Sequence, residues 1–133
     1  MKSAFADTVG LLALWDRSDQ WHEGAERAFS TLTGAKIALF TTSFVLLECA
    51  NAAARRPYRL AVDQLRSAME QGGFVLHPTN EDWHRAWEAY ARGEADGAGV
   101  VDQTSFLVMR RLGIAHAFTN DNHFRAAGFE VLF

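Results

Sequence analysis

Ser3-Ala4-Phe5-Ala6-Asp7-Thr8-Val9-Gly10-Leu11-Leu12-Ala13-Leu14-Trp15 is the stretch on which the fold turns. Four small or apolar residues reach an aspartate, and an apolar run of helical length follows. Ser3 to Ala6 reads as a short strand and Thr8 to Trp15 as a helix, with Asp7 at the junction where an N-cap belongs. The alternation repeats to the end of the chain. Asp19 to Leu32 is an amphipathic helix with Ala25, Ala28, Phe29 and Leu32 inward; Gly34 ends it and Lys36 to Thr41 is a second strand. Ser43 caps a strongly apolar helix that runs to about Ala54, and Pro57 opens the next at its first turn, ending near Gly72-Gly73. Phe74 to His77 is a third strand. Thr79 or Asn80 caps a helix carrying Trp83, Trp87 and Tyr90 at helical spacing, which marks them as core or interface. After the glycine-rich, acidic loop Gly93 to Gly99, Val101 to Leu112 is helical and Gly113 stops it. Ala115 to Thr119 is a fourth strand, followed by a short helix, Asn122 to Ala127, and a last strand, Glu130 to Phe133.

Strands alternating with helices predict an α/β fold: a three-layer α/β/α domain around a central parallel sheet of four to five strands. The 133 residues suit one domain spanning 1–133, with no repeat or linker inside it. Ligands in such sheets sit beyond the carboxyl ends of the strands, where the strand order reverses. No apolar run approaches the roughly 20 residues that span a bilayer. Asp7 comes too early to leave room for a secretory signal. Cys49, the only cysteine, excludes an internal disulfide and, among apolar neighbours, reads as a packed thiol. The expectation is a cytoplasmic protein with no membrane partner.

The net charge of −3 argues against nucleic-acid binding by bulk positive charge. The cations are unevenly placed, however. Arg55, Arg56, Arg59 and Arg66 fall within a dozen residues and Arg110-Arg111 form a doublet, and arginine suits phosphate contacts better than lysine does.

The acids carry the chemistry. Asp7 follows the first strand, Asp121 the fourth, and Asp102 stands at the start of a helix; each alone reads as an ordinary cap. Glu48 has no such reading. It lies in Ser-Phe-Val-Leu-Leu-Glu-Cys-Ala-Asn-Ala-Ala-Ala, a helix apolar nearly all round and therefore expected to be buried. A carboxylate there costs several kcal/mol, about, unless Arg55 or a metal compensates it. Two strand-end aspartates, a core glutamate and Asp102 can converge on one sheet edge, and such a cluster repels itself without a cation. Hard oxygen ligands suit Mg²⁺ or Mn²⁺. The histidines at 22, 77, 84, 116 and 123 show no paired ligand spacing, which argues against zinc.

The order of these acids, with the residues around them, resembles the PIN-domain nucleases, and most closely the VapC-type toxins of bacterial toxin–antitoxin pairs. The likeness runs through Ala6-Asp7-Thr8 with Leu-Leu-Ala-Leu, Asp19-Gln20-Trp21-His22-Glu23, and Thr41-Thr42-Ser43-Phe44-Val45-Leu46-Leu47-Glu48. It continues through Val101-Asp102-Gln103-Thr104-Ser105-Phe106 and Met109-Arg110-Arg111-Leu112-Gly113-Ile114, and ends with Ala117-Phe118-Thr119-Asn120-Asp121-Asn122-His123-Phe124 and Ala127-Gly128-Phe129. It implies a metal-dependent endoribonuclease, the toxin of a type II pair, that leaves a 5′-phosphate and a 3′-hydroxyl. Asp7, Asp102 and Asp121 would hold Mg²⁺ or Mn²⁺, with Glu48 as a further ligand or acting through water. Thr8, Ser105 and Thr119 are the candidate supporting donors, and Arg55, Arg56, Arg110 and Arg111 the candidate RNA contacts. The implied partners are RNA, a small antitoxin and a second copy of the chain.

Two departures stand out. The family often carries a serine where this chain has Val9, and polar residues just before the third acid where this chain has Gly99 and Val101. Such groups orient metal ligands, so the alternative is a catalytically weakened PIN protein acting mainly through antitoxin or dimer binding. A phosphatase using Asp7 as nucleophile fits poorly. It would need a second aspartate at Val9, and a phospho-acceptor domain would need a late lysine where the only lysines are Lys2 and Lys36.

Overall fold

The computed structural model describes residues 1–133. Five strands form one sheet: β1 (Ser3–Ala6), β2 (Ala38–Thr42), β3 (Val75–Leu76), β4 (His116–Phe118) and β5 (Glu130–Val131). Their order is β3-β2-β1-β4-β5 and every pairing is parallel, with Phe5 beside Phe40 on one flank and Ala117 on the other. The order reverses at β1, between β2 and β4, which is where the topology opens a crevice. Eight helical segments cover the sheet: α1 (Thr8–Trp15), α2 (His22–Gly34), α3 (Ser43–Ala53), α4 (Arg59–Gln71), α5 (Asn80–Ala91), α6 (Glu94–Gly97), α7 (Val100–Leu112) and α8 (Asn122–Ala126). The predicted three-layer α/β/α arrangement is the one observed.

Strand alternation feeds two cores. Phe5 and Ala117 point to the larger, built from Val45 and Cys49 of α3, Val62 of α4, Phe106 and Met109 of α7, and Phe124 of α8. Ala4 and Phe118 point to the smaller, with Ala13, Ala25 and Leu32. Helix α1 crosses close beneath the site because Gly10 has no side chain: a Cβ there would lie 2.0 Å from the Phe118 carbonyl oxygen. No helix is long and apolar enough to cross a membrane.

Four expectations need correction. Thr42, not Ser43, caps α3, accepting from the Val45 N–H at 3.2 Å. Pro57 lies ahead of α4 rather than in its first turn, and Tyr58 holds the cap position. The Gly93–Gly99 loop contains the short turn α6, where Ala95 and Asp96 adopt left-handed φ values of 54° and 59°. Finally, Trp83, Trp87 and Tyr90 are not core: they are 47%, 41% and 49% exposed. The buried stripe of α5 is Asp82, Ala86 and Ala89, one residue round the helix, where small side chains let α5 pack closely on α7. The aromatics stand outside as an edge-to-face ladder continued by Phe44.

Candidate active site

The carboxyl ends of β1 and β4 bring Asp7 and Asp121 to the crevice, and the first turn of α7 adds Asp102. Asp7 caps α1, taking the Val9 N–H at 3.3 Å, and Asp121 caps α8, taking the His123 N–H at 2.9 Å. The capping role and the site role coincide in these two residues, because a cap places its carboxylate at the strand-to-helix junction where the sheet edge lies. Asp102 is different. Gly99 holds the cap position of α7 and supplies no side-chain bond. Asp102 therefore stands three residues in, the position from which an acid closes a capping box.

A buried acid elsewhere in the fold shows what a structural carboxylate looks like. Asp82 occupies the same position in α5. It accepts from the Thr79 N–H at 2.9 Å, completing a capping box, and takes a forked pair of bonds from Arg111 at 2.6 and 3.0 Å. The Arg111 hydrogen bond is the main reason the Asp82 carboxyl is held below its ordinary 3.8. Asp102 has no such partners; its carboxylate takes no hydrogen bond from the protein. Burial, then the Asp121 and Glu48 charges, push it up to about 6.

Asp7 is more extreme. It is 1% exposed, and Oδ2 accepts from the Thr119 hydroxyl at 3.0 Å, while Oδ1 is buried with no partner. Burial, followed by the Asp102 charge, pushes its carboxyl from 3.8 up to about 8, against the pull of the Thr119 hydrogen bond. A buried carboxylate with one oxygen unpartnered, in the field of other acids, is the arrangement a cation relieves. Candidate ligand atoms of Asp102, Asp121 and His123 all lie within 4.8 Å of one another. Asp7 and Glu48 flank this closest group and are coupled to it by charge.

Glu48 does not sit in the core as its sequence context suggests. Helix α3 buries only Val45, Leu46, Cys49 and Ala53, and Glu48 lies on the solvent side, with Oε1 accepting from the Thr8 hydroxyl at 2.6 Å. Leu47, Ala50 and Ala52 share that exposed side and hide the helix's amphipathicity from a sequence reading. Glu48 still reaches the acids, since its charge is felt at Asp102.

The supporting residues divide. The Thr119 hydroxyl donates to Asp7 and accepts from the Asp121 N–H at 3.1 Å, tying two acids together. Thr8 orients Glu48. Ser105 donates to the Val101 carbonyl within its own helix rather than to an acid. His123, absent from the sequence-derived set, lies with Nδ1 2.9 Å from Asp121 Oδ1. Its signal was the Asp-x-His spacing at a helix start, which pairs one acid with one imidazole rather than two metal-type histidines.

Among the candidate arginines, Arg111 is held by Asp82, and Arg110 donates to the Ala127 carbonyl at 3.0 Å and packs on Phe106 and Phe129. Arg55 and Arg56 are exposed and not ion-paired.

Carboxylates gathered at the switch point of a parallel sheet, with one buried acid left short of a partner, make an acidic edge suited to holding a cation. The chain matches the PIN domain over residues 4–130 and belongs to that family. It is 33% identical, over 126 residues and 94% of both chains, to the 23S rRNA-specific endonuclease VapC20 of Mycobacterium tuberculosis. The crystal structure of that organism's VapC20, described as a Sarcin-Ricin loop cleaving toxin, superposes with a TM-score of 0.78 and covers 96% of each chain. The crystal structure of FitAcB from Neisseria gonorrhoeae, 14% identical, has a TM-score of 0.66 over 98% of this chain and 96% of its own, a likeness of fold.

Proposed function

We propose that this chain is a metal-dependent endoribonuclease acting as the toxin of a toxin–antitoxin pair. The observation that carries the reading is the Asp7 carboxylate, buried beside Asp102 and Asp121 with Oδ1 unpartnered. Asp7, Asp102 and Asp121 would hold the ion and Glu48 would complete the acidic edge; oxygen donors of this kind favour Mg²⁺ or Mn²⁺. When bound, the ion lowers the pKa of a water and offsets charge developing on the phosphate.

The chain's own groups set the geometry for that step. Thr119 fixes Asp7 against Asp121, His123 fixes Asp121, and Thr8 fixes Glu48 while leaving Oε2 without a protein partner. The solvent-facing Glu48 keeps one side of the edge open to a strand of RNA. Kinship with a 23S rRNA-specific endonuclease makes ribosomal RNA the first substrate to try. Purified protein should cleave RNA with Mg²⁺ or Mn²⁺ and leave 5′-phosphate ends, and Asp7→Asn and Asp102→Asn should each abolish cleavage. Full activity in both variants would defeat the assignment.

Asp102's lack of a protein donor, beside Gly99 and Val101, supports a second reading in which weak metal binding leaves partner binding as the main role. Calorimetric titration with Mn²⁺ separates the two, since a working nuclease shows binding that Asp102→Asn removes. For partners, we look to an antitoxin and a second copy of the chain. The surfaces offered are the groove of about 740 Å³ between α3 and α4, walled by exposed Leu47 and Leu60, and the Trp83–Trp87–Tyr90 ladder. We place the protein in the cytoplasm, where both RNA and antitoxin would be met.

A further inference from the structure

Helices α1 and α3 run side by side away from the acids. Thr8 meets Glu48 at one end of the seam, and at the other Asp16 lies in the field of Arg56. Leu11 of α1 and Val45, Cys49 and Ala53 of α3 lie inward in the shared core, and Glu48, Ala52, Arg55 and Arg56 lie on the exposed rim of the seam. Eight residues at 1.5 Å each put the far end about 12 Å from the acidic edge, a distance that a few linked nucleotides span.

At that far end Trp15, Asp16, Arg17, Ser18, Arg56 and Tyr58 line a depression of about 480 Å³. Trp15 and Tyr58 stack with ring centroids 6.5 Å apart and planes 21° from parallel. Neither Arg17 nor Arg56 is ion-paired. The wall's one acid, Asp16, already has Oδ1 occupied by the Ser18 N–H at 3.0 Å and hydroxyl at 2.6 Å. Near-parallel aromatics beside unpaired guanidinia are what proteins use to hold single strands: rings take the base face and cations the phosphates. In a chain of net charge −3, a strand is held by local cation clusters rather than by the overall field.

We propose that this depression is a subsite for a nucleotide of single-stranded RNA remote from the cut phosphate, with Trp15 and Tyr58 facing the base and Arg17 and Arg56 the flanking phosphates. The proposal rests on the nuclease reading and adds a second anchor to it. An acidic protein segment is the competing occupant; the stacked rings, which offer a base a face that a peptide carboxylate does not use, favour RNA.

The test uses the whole protein in EDTA, which holds off cleavage, with a fluorescein-labelled single-stranded RNA of mixed sequence. Arg17→Ala/Arg56→Ala should weaken binding about tenfold and lower the salt slope by about 1.4, two phosphate contacts at about 0.7 each. Arg27→Ala/Arg85→Ala, which removes the same charge elsewhere, should stay near the parent. In ¹⁵N-labelled protein the Trp15 indole signal should move on adding RNA, while those of Trp83 and Trp87 stay.

Unchanged affinity and slope in the Arg17/Arg56 double variant overturn the subsite. So does movement at Trp83 and Trp87 alone, or a Trp15 response to polyglutamate but not to RNA. Cleavage assays with Mn²⁺ keep the two claims apart. A parent that never cuts RNA sinks the nuclease reading, whereas a double variant that cuts with the parent's KM sinks only the subsite.

Discussion

Replacing Asp7 with asparagine removes the ionisation that the fold penalises most. The asparagine carbonyl can still accept from Thr119 and the Val9 N–H, and its amide takes the place of the unpartnered Oδ1. In the folded protein the Asp7 carboxyl is pushed from 3.8 up to about 8, so the native state holds this proton more tightly than the unfolded chain does. The cost of ionising it is therefore absent below 3.8, grows through the interval, and is complete above about 8. At about 1.4 kcal/mol per pH unit, the interval caps that cost at about 6 kcal/mol. Local relaxation and water entry reduce the cap, and we expect Asp7→Asn to stabilise the metal-free protein by about 2–3 kcal/mol at pH 8. The gain should fade toward zero near pH 4. Urea unfolding in EDTA from pH 4 to 8.5 measures it. Added Mn²⁺ at a hundred times its Kd should stabilise the parent by about 2.7 kcal/mol and leave the variant nearly unmoved. The reasoning fails if the variant is no more stable than the parent at pH 8, or if Mn²⁺ stabilises both alike.

Thr119→Val keeps the shape but strips Asp7 of its side-chain donor and the Asp121 N–H of its acceptor. Calorimetry should show Mn²⁺ affinity down by about 10- to 100-fold, and unfolding a loss of about 1–3 kcal/mol. Glu48→Gln, on an exposed position, should change stability by less than about 0.5 kcal/mol yet cut RNA cleavage by at least about tenfold; paired melting and cleavage assays read both. Gly10→Ala drives a methyl into the Phe118 carbonyl and should cost about 1–3 kcal/mol in chemical denaturation; an unaffected variant would mean that α1 shifts freely over β4. Asp82→Ala should cost about 2–3 kcal/mol, less than a fully buried pair because Arg111 is half exposed. The Asp82 carboxyl is held below 3.8, so its contribution is present above that pH and lost as pH falls. The variant should accordingly show a flatter acid limb in denaturation measured below pH 4.

The strand and helix around Asp7 were legible because a small-residue strand, a cap and an apolar helix each point to the same boundaries. Observed β1 and α1 span Ser3–Ala6 and Thr8–Trp15, as read from the residues. The acids were legible as a set but not in their ranking. Glu48 looked buried because Leu47, Ala50 and Ala52 leave its helix without a polar face, and alanine and leucine report helix formation more than burial. Asp7 looked like a cap, and it is one, so its desolvation was invisible: that depends on β4 and Thr119, 112 residues away. Trp83, Trp87 and Tyr90 follow a core-like spacing, but the neighbouring Asp82, Ala86 and Ala89 stripe is the one that meets α7. Periodicity finds a stripe and packing chooses among stripes. The same limit hid the tie between Arg111 and Asp82, 29 positions apart.

The switch-point order β3-β2-β1-β4-β5 also has a consequence for synthesis. A ribosome making this chain releases Asp7 well before Thr119 and Asp121 have been polymerised. The central strand must wait for β4 before its carboxylate has the Thr119 hydroxyl to hold it. A nascent chain, or one truncated by premature termination before the fourth strand, carries Asp7, Glu48 and Asp102 but neither Thr119 nor Asp121. For a chain proposed to cut RNA, and whose own message and maker are both RNA, this order means that the acidic edge is completed only once the fourth strand and Asp121 have been made.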